Sequence, residues 1–207
     1  MNPLNSVKGT IIAGVVLAVL IALVTNTTAA SFNAPTFILW IHVLAGITWI
    51  GLLYYFNFVQ VPALADAARD EGGPGGAGIT KYVAPRALWW FRWGAALTWL
   101  SGAAYLGHIG RLHYAFSLGM LSGSSVSDLT IGVGAWCGTI MLFNVWVLIW
   151  PNQKKILGMV EATADEIAKA RRVAFLASRT NTLLSIPMVM SMVGYGHGGY
   201  FFGGFLS

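Results

Sequence analysis

The stretch at residues 36–59, TFILWIHVLAGITWIGLLYYFNFV, runs for 24 residues without an Asp, Glu, Lys or Arg. A helix rises about 1.5 Å per residue, so this run is long enough to cross a bilayer core of about 30 Å. Trp40 lies near one end of the run, and Tyr54 and Tyr55 lie near the other, as in the aromatic belts at membrane interfaces. We therefore predict that these residues form a transmembrane helix.

The composition extends this prediction to the whole chain. Of its 207 residues, 57% are apolar and only 9% are charged, whereas a soluble domain has about 25% charged residues. This composition excludes a soluble protein. We predict an all-α integral membrane protein, a single domain over residues 1–207 that forms a bundle of about five transmembrane helices. The predicted spans lie near residues 10–30, 36–59, 87–107, 128–150 and 182–203.

The basic residues indicate how the spans are oriented. If the N-terminus is cytoplasmic, only Arg111 falls in a periplasmic loop, which agrees with the positive-inside rule. The predicted cytoplasmic set is Lys8, Arg69, Lys81, Arg86, Lys154, Lys155, Lys169, Arg171, Arg172 and Arg179. We therefore predict a multi-pass protein of the bacterial inner membrane with a cytoplasmic N-terminus and a periplasmic C-terminus. The net charge of +5 is then a topology signal, and no nucleic acid partner is expected.

A cytoplasmic amphipathic segment is predicted at residues 152–178. Its apolar residues recur at roughly helical spacing, and Thr163 with Glu166 forms a capping-box pattern. This segment is expected to lie on the membrane interface or on the bundle, and a partner protein is a further possibility. In the last span, Pro187 predicts a kink.

Other conspicuous residues have structural explanations. The glycine cluster at residues 72–78 lacks the lysine and hydroxyl of a phosphate-binding loop, so it is interpreted as a flexible connector. Arg92, just inside the third span, is expected to extend toward the lipid phosphates and to stack on tryptophan. Cys137 is interpreted as a packing residue. Because it is the only cysteine, disulfides within the chain, thiolate zinc sites and the Cys-x-x-Cys-His attachment of c-type haem are excluded.

The four histidines all fall toward the predicted periplasmic face. They are His42, His108, His113 and His197. His42 lies about two turns below the end of the second span, and His197 lies about 24 Å up the fifth span at about 1.5 Å per residue. Two buried histidines at matching depth meet the requirement for axial ligation of haem, or for a copper or non-haem iron site. We therefore predict haem b, or another metal, held by His42 and His197, with His108 as the substitute ligand.

The neighbours of these histidines help to choose between cofactors. Gly46 lies one turn from His42, and Gly194 lies within a turn of His197, where small residues would admit the edge of a porphyrin. Glycine also permits close helix packing, so it does not by itself establish a haem site. Asp128 is the only carboxylate on this side, which argues against a carboxylate-bridged di-iron centre. No general base is identified.

Several motifs resemble one family. The helix bearing His42 is similar to the histidine-bearing helix of bacterial membrane-bound urate oxidase (urate hydroxylase), and further tryptophan- and arginine-bearing motifs follow in the same order. The motifs are Trp40-Ile41-His42-Val43-Leu44-Ala45-Gly46-Ile47-Thr48-Trp49-Ile50-Gly51, Pro85-Arg86-Ala87-Leu88-Trp89-Trp90-Phe91-Arg92-Trp93-Gly94, Trp150-Pro151-Asn152-Gln153-Lys154-Lys155, Ala177-Ser178-Arg179-Thr180-Asn181 and Ser185-Ile186-Pro187-Met188.

The resemblance implies a membrane domain that oxidises urate to 5-hydroxyisourate and passes electrons to a C-terminal cytochrome c domain. This chain has no Cys-x-x-Cys-His, so we expect its electron acceptor to be a separate cytochrome c. A histidine followed by Trp and Gly on one helix also looks like small membrane haem proteins such as the protoporphyrinogen oxidase family.

Two hypotheses of different class follow. The first is a redox protein, and in its enzymatic version an oxidoreductase acting on urate or another purine. The second is an accessory, non-catalytic subunit of a larger respiratory or photosynthetic membrane complex, in which tryptophan and glycine serve packing against other subunits. A transporter is disfavoured because it would have broken helices in matched repeats, whereas this sequence predicts one kinked span and no internal repeat.

Overall fold

The computed structural model describes residues 2–25 and 31–201, and these residues form helices and connecting loops without strands. The chain divides into two compact units, residues 1–34 and 35–207. The first unit holds a short 3₁₀ turn, Pro3–Asn5, and helix α1, Val7–Thr25. Helix α1 thus begins before the predicted start at residue 10, and residues 26–30 of that predicted span lie outside the described part of the chain.

The second unit contains long helices, three of which are extended by a π-helical segment. The helices are α2 (Ala34–Tyr54), α3 (Val61–Ala67), α4 (Ala84–His108), α5 (Leu112–Phe116), α6 (Val126–Phe143), α7 (Trp150–Ile156) and α8 (Ala164–Gly196). The π-helical segments are Tyr55–Gln60, Ile79–Val83 and Asn144–Ile149. They join α2 to α3, precede α4, and join α6 to α7.

Four helical stretches of the described residues are long and apolar enough to cross a membrane. They are Val7–Thr25, Ala34–Ala67, Val126–Ile156 and Ala164–Gly196. The last has 33 residues and is about 50 Å long, so it extends beyond a bilayer core of about 30 Å. Helix α4 coincides with the predicted span 87–107 but is not one of the four, because its arginines and tryptophans lower its hydropathy. The number of spans stays a prediction.

Helix α8 differs from its predicted boundaries. The predicted cytoplasmic segment 152–178 is divided, because its first residues end α7 and residues 164–178 belong to one continuous helix, 164–196, with most of the predicted span 182–203. The predicted capping box is confirmed at its start. Thr163 N–H donates to Glu166 Oε2 at 2.9 Å, and Glu166 N–H donates to Thr163 Oγ1 at 3.3 Å. The helix continues through Pro187, and residues 202 and 203 lie outside the described part.

Each π-helical segment ends directly before an X-Pro pair. The prolines are Pro62, Pro85 and Pro151, each the second residue of the helix that follows. Proline has no N–H to donate, which breaks the ordinary ladder, and a wider turn accommodates the break. In each case the residue before the proline donates its N–H to the carbonyl five residues earlier, as from Val61 to Phe56. We call the end of the second unit that carries these prolines the proline end, and the opposite end the histidine end.

A short repeat links α2 and α6, so the expectation of no internal repeat is wrong for these two helices. Both contain Trp-x-Gly followed seven residues after the Trp by Phe-Asn, at residues 49–57 and 136–144. In both, the Asn lies in or at the start of the π-helical segment that precedes a proline. Asn57 and Asn144 each donate to helix α8, at Ser178 and Asn181 respectively.

The core lies at mid-height between the two ends. Its side chains come from α2, α4, α6 and α8, and the most deeply buried are Trp49, Leu53, Phe91, Met141 and Val145. Cys137 packs against this core, as predicted. Arg92 lies with its Cζ 3.3 Å from the ring centroid of Trp150, so the predicted stacking on tryptophan is confirmed and the partner is on α7.

Candidate functional site

An apolar cavity occupies the histidine half of the second unit. Its volume is about 730 Å³, and its walls come from α2, α4, α6 and α8 with Phe116 of α5. Both His42 and His197 line it, although they are 155 residues apart in the chain. The two predicted ligands thus line the same cavity, but the expectation that both are buried is wrong, because His42 is half-buried and His197 is exposed at the end of α8.

His42 is fixed by a contact between α2 and α4. Its Nδ1 donates to the carbonyl oxygen of Thr98 at 2.8 Å. Because a carbonyl can only accept, Nδ1 carries the proton and the Nε2 lone pair is available. No described residue hydrogen-bonds to Nε2. A backbone carbonyl that orients one ring nitrogen in this way is the usual support of a metal-ligating histidine.

Gly102 leaves the space that the His42 ring occupies. A Cβ at this position would lie 2.9 Å from His42 Cε1 and 3.1 Å from Nδ1, which is closer than carbon atoms pack. The close approach of α4 to this ring therefore depends on a residue without a side chain. Ser101, which precedes Gly102 on α4, has its Oγ 3.5 Å from the same Nδ1.

His197 lies at the C-terminal cap of α8 and is exposed. Its Nδ1 donates to the carbonyl oxygen of Val193 at 2.9 Å, so its Nε2 lone pair is also available. The chain then folds back over the helix end, where the N–H of Gly199 donates to the carbonyl of Gly194 at 2.8 Å. Both Gly198 and Gly199 have positive φ, which favours glycine.

The predicted glycines have different roles. Gly46 lines the cavity, and a Cβ there would meet Thr98 Cγ2 at an ordinary distance of 3.8 Å. Gly194 does not line the cavity. A Cβ there would lie 2.9 Å from the carbonyl oxygen of Gly199. Glycine is therefore needed at this position so that the chain can fold back over the end of α8.

His108 and His113 lie away from the cavity. His108 ends α4 and is exposed, and neither residue lines the cavity wall. The ring of His113 packs on Tyr114 with a centroid distance of 4.0 Å. Within the described ranges, no group of three or more His, Cys, Asp and Glu is placed to hold a metal ion. The structure therefore groups His42 with His197 at one cavity and leaves His108 outside it.

Trp49 also lines the cavity, although the sequence pattern did not predict it as a site residue. It is 1% exposed, and its indole N–H has no partner among the described residues. The corresponding Trp136 of the repeat donates its N–H to the carbonyl of Phe116 at 3.0 Å. A buried donor without an acceptor costs free energy and calls for an explanation. In the sequence, the only signal that relates Trp49 to Trp136 is the short repeat that contains both.

An ion pair between a partly exposed arginine and a buried carboxylate lies at the histidine end. Asp128, fully buried, accepts two hydrogen bonds from Arg111, one of them from Nε at 2.9 Å. It also accepts from the N–H of Ser125 at 2.7 Å, which completes a capping box at the start of α6. The arginine and the carboxylate that the sequence places on this side are thus partners in one ion pair.

The comparisons with known proteins give one match. Residues 112–204 match the family model described as urate oxidase N-terminal. This confirms the resemblance for the part of the chain that contains α5 to α8 and His197. No curated protein and no solved structure matches the chain.

Proposed function

We propose that this chain, similar over residues 112–204 to the urate oxidase N-terminal family, is a membrane-embedded redox protein that binds b-type haem between His42 and His197. The observation that carries the proposal is the apolar cavity lined by both imidazoles, each held through Nδ1 by a backbone carbonyl. Both Nε2 atoms are therefore available to bind the haem iron.

The residues present fit a flat apolar group. A volume of about 730 Å³ lies within the range of about 300–1,000 Å³ found for cofactor pockets. Glycines from three helices, Gly46, Gly102 and Gly134, line the wall, and Gly102 gives its space to the His42 ring. The unpaired N–H of Trp49 offers a donor. These features support a haem held by the two histidines that line the cavity.

When bound, a haem supplies one-electron transfer. The protein's own contribution is positioning and exclusion of water. The carbonyl of Thr98 holds the His42 ring in one tautomer, while Gly102 lets the ring approach α4. The exposed position of His197 places this end of the cavity near the protein surface. A separate cytochrome c could therefore approach closely, and it is the electron acceptor that we propose.

An absorption spectrum of the purified protein tests the proposal. Wild-type protein produced with haem supplied is expected to show a Soret band and a reduced α band, with one haem per chain by the pyridine haemochrome assay. His42→Ala and His197→Ala are expected to lose most of the bound haem while remaining folded by circular dichroism.

His108→Ala is the matched control, because His108 is exposed and does not line the cavity. It should retain the wild-type spectrum. A colourless, fully folded wild-type protein would contradict the haem proposal and would leave the accessory-subunit hypothesis, which stable co-purification with other membrane subunits would support.

The family match favours one enzymatic version, the oxidation of urate. Urate with water yields 5-hydroxyisourate, two protons and two electrons, so each urate would reduce two molecules of cytochrome c. Membranes containing the protein are expected to reduce added cytochrome c when urate is present and not when it is omitted. The same membranes with His42→Ala should lose this urate-dependent reduction. Haem binding without any response to urate would retain the redox proposal and reject urate as its substrate.

A further inference from the structure

A second cavity lies at the proline end, away from the histidines. Its volume is about 680 Å³, and its walls combine two kinds of side chain. Aromatic and aliphatic side chains form one part, including Phe56, Leu64, Leu88 and Ile156. The polar part is made by three amides, two hydroxyl groups and two guanidinium groups, from Asn57, Gln60, Gln153, Thr80, Ser178, Arg171 and Arg172. Such a mixed wall suits an amphipathic ligand.

Two amides of this wall have an oxygen without a donor. Gln60 is 8% exposed, and no hydrogen bond reaches its Oε1 in the described part of the chain. Asn57 is 3% exposed and uses its Nδ2 to donate to the carbonyl of Leu53 and to Ser178 Oγ, while no described residue donates to its Oδ1. Both lie on the π-helical segment after α2. The cavity therefore offers acceptors for hydroxyl or N–H groups.

Arg171 and Arg172 give the same cavity a positive charge at its rim. Both are exposed, and no carboxylate forms a salt bridge with either among the described residues. They lie about 25 residues, or about 37 Å, from the C-terminal end of α8. This distance exceeds a bilayer core of about 30 Å, so the two guanidinium groups reach the headgroup region when the other end of α8 lies at the opposite interface.

We propose that this cavity binds an anionic phospholipid whose headgroup carries free hydroxyls, the chemistry of phosphatidylglycerol. Its phosphate pairs with Arg171 and Arg172, and its hydroxyls donate to the open amide oxygens of Asn57 and Gln60. Its acyl chains lie along the apolar wall. This site is independent of the proposed haem cavity, since the two cavities share no lining residue.

Each part of the wall is matched by this class of ligand. A quinol would use the amide oxygens and the apolar wall but would leave two guanidinium groups without an anion. A small hydrophilic anion would pair with the arginines but would leave the apolar wall uncovered. A lipid phosphate and a free phosphate are both anions that can pair with the arginines, so the experiment separates these two sources.

Competition between lipids in mixed nanodiscs tests the proposal. The full chain is placed in nanodiscs of phosphatidylcholine with equal minor fractions of phosphatidylglycerol and phosphatidic acid, and retained lipid is counted by native mass spectrometry. Wild-type protein is expected to retain phosphatidylglycerol above both other lipids. Gln60→Leu, which is similar in size, should reduce the preference over phosphatidic acid by about fivefold to tenfold, as one lost hydrogen bond implies.

The doubly substituted Arg171→Gln, Arg172→Gln protein should lose retention of both anionic lipids. Arg179→Gln is the matched control, because Arg179 lies on the same helix but does not line this cavity, and it should retain phosphatidylglycerol. Equal retention of all three lipids by the wild type would overturn the proposal. Displacement of the lipid by inorganic phosphate, glycerol 3-phosphate or urate at equal concentration would also overturn it, since the site would then recognise a small soluble anion.

Discussion

At the scale of single residues, the position of the His42 ring depends on the absence of a side chain at Gly102 and on the backbone carbonyl of Thr98. The His42 ring occupies the space that a side chain at position 102 would fill, and the Thr98 carbonyl then sets its tautomer. One glycine and one backbone oxygen thus turn a histidine in an apolar helix into a potential ligand. Neither is a residue type that a search for metal-binding motifs would mark.

Gly102→Ala tests this arrangement independently of any cofactor. The new Cβ would lie 2.9 Å from His42 Cε1, so the ring or the helix must move, which costs about 1–3 kcal/mol of the free energy of unfolding. Gly107→Ala on the same helix meets no atom within 4 Å and is the control. Thermal unfolding in one detergent should show a lowered midpoint for Gly102→Ala alone; equal midpoints would mean that the contact is absent.

Asp128 and Arg111 provide a second test at this scale. Asp128→Asn removes the charge from a fully buried carboxylate while its guanidinium partner, 31% exposed, stays in place. Removal of one partner of a buried pair costs about 3–5 kcal/mol, and the lower value is expected here because the arginine retains contact with solvent. Chemical unfolding measures the change. A loss no larger than that of Asp66→Asn, whose ion pair is exposed, would contradict the expected role.

At the scale of elements, helix α8 is held in the bundle by a row of polar side chains. Ser178, Asn181 and Ser185 lie three and four residues apart, so they share one face of the helix. They contact Asn57, Asn144 and Tyr54, at 2.8, 2.8 and 3.0 Å respectively. In lipid the hydrophobic effect does not drive helices together, so hydrogen bonds and close packing determine how α8 fits against α2 and α6.

The pair formed by Asn144 and Asn181 gives the prediction for this element. Asn181 is fully buried, accepts from Asn144 and donates to the carbonyl of Met141. Asn181→Leu should lower the free energy of unfolding by about 1–3 kcal/mol because it leaves a buried amide without a partner. Adding Asn144→Leu should cost less than the same change in the wild type. A double-mutant cycle in detergent measures this coupling, and strictly additive effects would contradict a direct contact.

At the scale of the whole molecule, the two cavities lie toward opposite ends of one helical unit. The histidine cavity lies beside the ends of α4 and α8, and the mixed cavity lies beside the three X-Pro pairs. A protein that transfers electrons to a soluble partner needs its cofactor near one surface. An arginine-lined cavity at the other end suits the anionic cytoplasmic leaflet. The orientation of the chain in the membrane therefore decides whether both proposals are consistent.

Labelling of single cysteines tests that orientation. With Cys137 replaced by serine, Ser122→Cys is expected to react with a membrane-impermeant maleimide added to intact cells, because it lies in the predicted periplasmic loop. Lys169→Cys should react only after the membrane is opened, and it is the internal control. The opposite pattern would place the histidine cavity on the cytoplasmic side and would remove a periplasmic cytochrome c as the proposed partner.

Composition and apolar runs were sufficient to predict the all-helical architecture and the membrane-compatible helices. The capping box at Thr163 and Glu166 and the stacking of Arg92 on tryptophan were also predictable, because these depend on local spacing and composition. The boundaries of α8 were not. A helix can change in hydropathy along its length without a break in its hydrogen bonds, so residues 164–178 resembled a segment separate from the span that follows.

The sequence by itself determined that this chain forms apolar helices and that histidines fall toward one end of them. Only the tertiary structure decided that His42 and His197, rather than His108, line one cavity, and that Gly194 supports a chain reversal. The physical reason is that helix periodicity and length fix the height of a residue along its own helix. The direction in which it faces a neighbour is set by contacts between distant segments, such as those of His42 with Thr98 and Gly102.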